Sequence, residues 1–363
     1  MNYTAQEKIC ILFGELGLAA NKFYSLIEFF GDTITLAKEF AGSDRAENIC
    51  GETYRRLCFA LRSNEVEKII SEMEKHSVVA VTCYSQSFPE SLLDIPDPPY
   101  VLFCMGNVSL LKSRCLGVVG TRKISTYGRR VTTDFTTLLS EKFTVVSGLA
   151  YGVDSVAHET TLKEGGNTIA VLGGGLINVY PAANRGLAER IVQSGGLLVS
   201  EYGMNATAMP YHFPHRNRIV SGLSLGLLVC QSPTKSGTVS TVECALNQGR
   251  DVFAVPGEIY DAGYSGNNSL IKTLQSTCVT TPRDILEFYR LDGARQEEQS
   301  GYQLNFDEQK IVDALSEGTL TFDNLVEKTK LSPADLNFLL ANLEIKSIIS
   351  RMPGNSYRSL WRN

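Results

Sequence analysis

The sequence predicts an α/β fold: a Rossmann-like, mostly parallel sheet flanked by an N-terminal helical domain of SAM or helix-hairpin-helix type and a C-terminal winged-helix-like domain. Three observations carry this. Near-continuous apolar runs alternate with amphipathic segments through the middle of the chain. The first 75 residues show helical spacing and no strand pattern. After a polar stretch, the tail has three helical blocks and then two short extended pieces.

In the N-terminal region, Ile9, Leu12 and Phe13, then Phe23, Leu26, Ile27 and Phe30, recur at helical intervals. "LGLAANKFYSLIEFFG" has a Gly turn between short amphipathic helices, so 1–75 reads as a SAM-like unit. The plainer alternative is a helical cap that touches no nucleic acid. The proline-rich "FPESLLDIPDPPYVLF" then leads into the sheet domain, 76–290. Its expected strands are 115–120, 143–148, 167–175, 196–202, 224–232 and 251–257, whose apolar character implies burial on both faces. "RRVTTDFTTLLSEK" and "SVAHETTLKEGG" are the helices between them. A ligand of such a sheet sits beyond the C-terminal strand ends.

The stretch 291–303 reads as a linker and 304–363 as the winged-helix-like domain, with Ser332 capping a helix that starts at Pro333. The recognition-helix position offers Asp335, Asn337, Asn342 and Glu344, with Lys346 only at its end. Phosphate binding needs cations there, so contact with protein is the expectation for this domain.

Composition narrows the function. With 43% hydrophobic and 20% charged residues the 363-residue chain is ordinary globular material. Its net charge of −5 gives no general attraction to polyanions, so a nucleic-acid site must be a local basic patch. Nine scattered cysteines without a C-x-x-C pair suggest free thiols in a reducing cytosol, and no metal site. No signal peptide or membrane span is evident, so a cytoplasmic protein is expected.

Five segments at expected strand ends carry the chemistry. "LGVVGTRKISTYGRR" is the most basic window, with Arg122, Lys123 and Ser125 on its turn and no acidic residue between Asp97 and Asp134. Amides at a strand-to-helix turn, hydroxyls and a guanidinium suit a phosphate; a tight turn with solvated charges is the bland alternative. "SGLAYGVDSVAH" offers Ser147, Gly148, Asp154 and His158. A hydrolytic triad is disfavoured because the Ser lies outside a nucleophile elbow, and Asp154 and His158 sit one helical turn apart, as a helix-start pair would. "LGGGLINVYPAANRGL" brings Gly173 to a glycine-rich turn, without the dinucleotide fingerprint. "YHFPHRNRIVSG" offers Phe213 for stacking on a base, Arg216 and Arg218 for phosphates, and Asn217 for a backbone or base edge. Here the following "IVSGLSLGLLVCQ" reads as a buried strand, and one arginine could instead pair with a carboxylate such as Glu201. Finally, Lys235, Ser236 and Gly237 precede a helix, again an anion-binding arrangement, but without the G-K-[ST] order of a Walker loop.

Taken in order, "VVGTRKISTYG", "SGLAYGVDSVAH", "TIAVLGGGLINVYPAAN", "FPHRNRIVSGLS", "KSGTVSTVECALNQGRDVFAVPG" and "SGNNSLI" closely resemble the DNA-processing protein A family (DprA, also called Smf), over roughly Ser77 to Leu286. The resemblance implies a cytoplasmic, often dimeric mediator of natural transformation and DNA recombination, not an enzyme and without a cofactor. Such a protein binds incoming single-stranded DNA, displaces single-strand-binding protein and loads RecA-type recombinase. Carried over, Arg122, the Ser147–Gly148 turn, Phe213, Arg216, Asn217, Arg218 and Lys235 line the DNA pocket. Arg122, Arg218 and Lys235 would clamp phosphates, and Phe213 would be the stacking platform. Tyr151 stands where the family often has a basic residue, so one phosphate contact is missing or replaced by stacking. The competing expectation is a nucleoside-monophosphate-cleaving enzyme of the lysine-decarboxylase-like fold, of whose motif "KSGTVSTVE" keeps Gly237, Thr238 and a Glu but not the double glycine or the spacing.

Overall fold

The computed structural model describes residues 2–291, 304–315, 318–345, 348–352 and 355–359. Two compact units result, Met1–Leu291 and Asp292–Asn363. Apart from Leu291, the segment read as a linker lies outside the described residues.

In the first unit six helices come first: α1 (Ala5–Glu15), α2 (Ala20–Phe30), α3 (Thr33–Glu39), α4 (Asp44–Cys50), α5 (Tyr54–Arg62) and α6 (Glu65–Lys75). A capping box starts α1: Thr4 accepts from the Glu7 amide while the Glu7 carboxylate accepts from the Thr4 amide. The apolar faces of these helices merge with the sheet. Phe13, Phe23 and Phe40 share one buried cluster with Tyr100, Phe103 and Leu172, and Phe23 stacks on Tyr100 with ring centroids 4.0 Å apart.

The sheet follows as β1 (Val78–Thr82), β2 (Val101–Gly106), β3 (Cys115–Gly120), α7 (Thr126–Leu139), β4 (Thr144–Ser147), α8 (Val153–Lys163), β5 (Thr168–Leu172), α9 (Arg185–Gln193), β6 (Leu197–Ser200), α10 (His212–Leu223), β7 (Gly226–Gln231), α11 (Gly237–Asn247), β8 (Asp251–Ala254), α12 (Ser265–Lys272), β9 (Thr277–Cys278) and α13 (Pro282–Phe288). Strand order is β1-β2-β6-β5-β4-β3-β7-β8-β9. From β6 to β9 every pairing is parallel, whereas β1–β2 and β2–β6 are antiparallel. All six expected parallel strands form, each within the predicted bounds. The antiparallel edge, β1 and β2, was not expected from the sequence.

One expected strand must be corrected. Ile219–Leu223 is not the start of a strand but the end of α10, and β7 begins only at Gly226. Phe213 to Arg218 therefore stand on a helix rather than on a turn.

From β3 the chain moves stepwise through β4 and β5 to β6. It then returns across the sheet to β7 on the other side of β3 and continues to β8 and β9. Adjacent β3 and β7 thus send their connections in opposite directions, and a crevice opens between them at their C-terminal ends.

The second unit consists of α14 (Phe306–Leu315), β10 (Leu320–Thr321), α15 (Phe322–Thr329), α16 (Pro333–Ile345), β11 (Ile349–Met352) and β12 (Ser356–Ser359). Its sheet, in the order β10-β12-β11, packs with the helices around Ile311, Leu325, Leu336, Leu340 and Tyr357 in a winged-helix arrangement. Ser332 accepts from the Asp335 amide, as expected of the cap. Asp335, Asn337 and Glu344 are exposed on α16; Lys346 lies outside the described residues.

Candidate nucleic-acid interface

The crevice is an open cleft of about 650 Å³. After β3, the Thr121 amide donates to Gln231 O at the end of β7 (2.7 Å), tying the two strand ends together. The turn that follows leaves Arg122 and Lys123 exposed into the cleft. It closes on Ser125, whose amide and hydroxyl both donate to Gln231 Oε1 and whose hydroxyl oxygen caps α7 by accepting from the Gly128 amide. Ser125 thus shapes the turn and does not line the cleft.

One wall is a face of α10, made of Phe213, Arg216, Asn217 and Val220. The guanidinium of Arg122 lies over the Phe213 ring, 5.4 Å from its centroid, and Tyr180 approaches the same ring at 5.6 Å. Gly173 sits behind that ring: a Cβ there would come within 2.9 Å of it, so this glycine seats the platform and does not line the cleft. The opposite wall is the N-terminus of α11, where Lys235 is exposed, Ser236 caps the helix and Gly237 and Thr238 face the opening. The positive end of a helix beside a lysine favours an anion. Asn217 links the walls by donating to Ser240 Oγ (2.9 Å).

Arg216 and Arg218 behave differently from Arg122. Arg216 is buried at the cleft floor and donates to the carbonyls of Gly148 (2.7 Å) and Val171. Gly148 is glycine for this reason: a Cβ would lie 2.4–2.6 Å from the guanidinium. Burial pushes the Arg216 pKa down to about 10, with buried Asp154 opposing the shift, so the group stays charged at neutral pH. Asp154 accepts from the amides of Gly148 and Ala150, and its carboxyl is pushed up by burial, against the pull of Arg216.

Arg218 points away from the cleft, and the expectation that it clamps a phosphate is corrected. It is buried against Glu201 (2.6 Å) and Asp97 (2.8 Å), with His215 3.1 Å from Asp97. Its Nε and Nη2 both serve these carboxylates. The ion pairs of the described residues do not include Arg122, Lys123 or Lys235.

The hydrolytic arrangement is absent. Ser147 is buried and donates to Val118 O (2.7 Å). His158 is not paired with Asp154: the Thr168 hydroxyl donates to Val145 O, so its oxygen accepts from His158 Nδ1–H at 2.7 Å. Glu243, the residue a nucleotide hydrolase would need, is exposed on α11 and does not line the cleft. Among the described residues no three His, Cys, Asp or Glu side chains could hold a metal ion, and no helix is long and apolar enough to cross a membrane.

Of the thirteen candidate residues, nine therefore line one cleft: Arg122, Lys123, Gly148, Phe213, Arg216, Asn217, Lys235, Ser236 and Gly237. Ser125, Ser147, Gly173 and Arg218 stand behind it. The sequence reading missed Tyr180, Thr121 and Ser240; Tyr180 had a signal, an aromatic five residues after the glycine run that follows β5.

Comparison with known proteins places this geometry. The family model for DNA recombination-mediator protein A matches residues 79–290, and that for the DprA winged helix domain matches 295–355. Protein Smf of Escherichia coli is 41% identical over 237 residues, 65% of this chain and 63% of that protein. The chain thus aligns with less than two thirds of that relative's length. The crystal structure of DNA processing protein A from Streptococcus pneumoniae superposes with a TM-score of 0.67 at 31% identity, covering 79% of this chain and 98% of that one. The structure of DNA processing protein A from Helicobacter pylori, described for its single-stranded DNA binding mode, gives 0.54 at 27% identity over 59% of this chain and 96% of that one. With the family's sheet domain and its winged helix both matched in order along this sequence, the chain belongs to the DNA recombination-mediator protein A (DprA/Smf) family.

Proposed function

We propose that this chain binds single-stranded DNA in the cleft between β3 and β7 and acts as a recombination mediator rather than an enzyme. It protects incoming DNA and loads a RecA-type recombinase during natural transformation, working in the cytoplasm as a homodimer and displacing single-strand-binding protein. The observation that carries the reading is the placement of exposed, unpaired Arg122, Lys123 and Lys235 around the partly open ring of Phe213 in one cleft. Cations fix the phosphates, and a stacking ring takes any base whose face is free, which is the case in a single strand and not in a duplex. The single-stranded DNA binding described for the Helicobacter pylori relative supports the same ligand. The acidic exposed face of α16 suits a protein partner better than a phosphate backbone.

The test is fluorescence anisotropy of a labelled single strand and its duplex across a salt series. Tight, strand-selective binding that weakens with salt is expected. No binding at low salt, together with cleavage of a nucleoside monophosphate, would replace this reading by the hydrolase one.

A further inference from the structure

Two exposed tyrosines stand at the rim of the cleft. Tyr151 and Tyr180 are 47% and 54% exposed, and both border a recess next to the main cleft, shared with Arg122 and Phe213. Single exposed aromatics are ordinary on protein surfaces. These two are held by backbone built for the purpose.

Tyr151 sits between Leu149, a buried non-glycine residue in the left-handed region at φ 56°, and Gly152 at φ 79°. A Cβ on Gly152 would lie 2.2 Å from Thr121 O, so the turn can only close with glycine there. Left-handed backbone at a bulky residue persists only where the surroundings enforce it. Here they do: the Ala150 amide donates to Asp154 and the Ala150 carbonyl accepts from Ser155 Oγ (2.6 Å). Asn184 then joins this turn to the Tyr180 segment. Its side-chain amide donates to Leu149 O (2.8 Å) and to Ser155 Oγ (3.0 Å), while its backbone amide closes the turn after Pro181 by donating to Pro181 O. The two tyrosine-bearing loops are thus fastened to each other, and the side chains they present outward are aromatic.

We propose that Tyr151 and Tyr180 form a second nucleobase-stacking position beside Phe213, so that the site holds the bases of adjacent nucleotides as well as their phosphates. The inference rests on the reading of the cleft as a single-strand site. Tyr180 already contacts the Phe213 ring at 5.6 Å, so a strand whose base lies on Phe213 brings its next base to the Tyr180–Tyr151 side. Loops fixed before the ligand arrives lose little freedom on binding. This position discriminates on the presence of a base, not on its identity, because every base has a stacking face.

The experiment compares the full-length protein with its Tyr151→Ala, Tyr180→Ala, Tyr151→Phe and Tyr180→Phe variants. Each is titrated with labelled oligothymidine and with the same oligomer carrying adjacent abasic positions. Both side chains are exposed, and melting temperatures confirm that the variants fold. The expected result is that each alanine variant loses affinity for oligothymidine by about tenfold, the order of one stacked base. On the abasic strand it should bind as the parent does, with an unchanged salt slope, and the phenylalanine variants should restore binding. Equal losses on both strands, or no loss on either, would overturn the stacking position while leaving the cleft as a DNA site. Failure of the parent protein to bind either strand would overturn the cleft reading itself and this inference with it.

Discussion

Arg218 supplies the sharpest test of the geometry, because the sequence suggests a DNA ligand and the structure a brace. Its side chain is only 8% exposed, as is that of Glu201, which it meets at 2.6 Å; its second partner, Asp97, is 38% exposed. Truncation in Arg218→Ala strands the Glu201 carboxylate in a dry environment with only His215, 3.5 Å away, nearby. Breaking a buried pair from one side costs about 3–5 kcal/mol. The Asp97 contribution is screened by solvent, so the lower end of that range, about 3 kcal/mol, applies. For a unit of this size a kcal/mol moves the melting temperature by about 2–4 °C, which gives a fall of roughly 6–12 °C. Scanning calorimetry reads this, with Arg122→Ala as the comparison that melts like the parent yet loses strand affinity. The double variant Arg218→Met with Glu201→Gln should recover most of the stability, since removing both charges leaves nothing stranded. If Arg218→Ala melts like the parent and instead binds DNA weakly with a shallower salt slope, the brace is wrong and Arg218 is a phosphate ligand.

Three further outcomes are expected. Lys235→Ala should lower the salt slope of single-strand binding by about 0.7, one phosphate contact, while Phe213→Ala weakens binding with the slope kept; salt-series anisotropy separates them. Gly148→Ala places a methyl against the Arg216 guanidinium, at 2.4 Å from its nearest nitrogen, and ejects it from beside Asp154. A stability loss of about 3 kcal/mol follows, to be measured by urea unfolding. His158 is fully buried and its pKa is pushed down to about 3, first by burial and then by Arg216. Between that value and the unfolded one near 6.5 the unfolded chain holds a proton that the native chain does not. Stability is therefore full above the unfolded value and falls as pH drops through the window, at up to about 1.4 kcal/mol per pH unit. His158→Asn, which keeps a donor for Thr168, should flatten that slope in pH-dependent unfolding; an unchanged slope would assign the acid sensitivity to other groups.

The central strands were legible because both of their faces are buried. β3, β4, β5 and β7 contain hardly a solvent-facing position, so each appears as an unbroken apolar run between turn residues. The antiparallel edge was less legible, since β1 begins three residues after the end of α6 and the proline-rich segment before β2 reads as a connection rather than as the border of a strand. α10 was missed for a different reason. Its last five residues, Ile219 to Leu223, are all buried, so no polar face marks the helical period. Only Ser224 and Leu225 separate this run from β7, and the two merge by eye into one strand.

The helix also separates the two arginines of the site. In an extended segment Arg216 and Arg218 lie two residues apart on one face, and both would reach the same ligand. On a helix at about 100° per residue they diverge by about 200°, while Phe213, Arg216, Asn217 and Val220 fall on one side. This is the face that lines the cleft, with Arg218 turned back to Asp97 and Glu201. Of its partners, Glu201 was already the carboxylate alternative in the sequence, whereas Asp97, 121 residues from Arg218 in the chain, is brought to it only by the packing of the sheet. The helical period alone would nonetheless have separated the two arginines. Which of the two guanidiniums faces the cleft is thus decided by secondary structure before any tertiary contact is known.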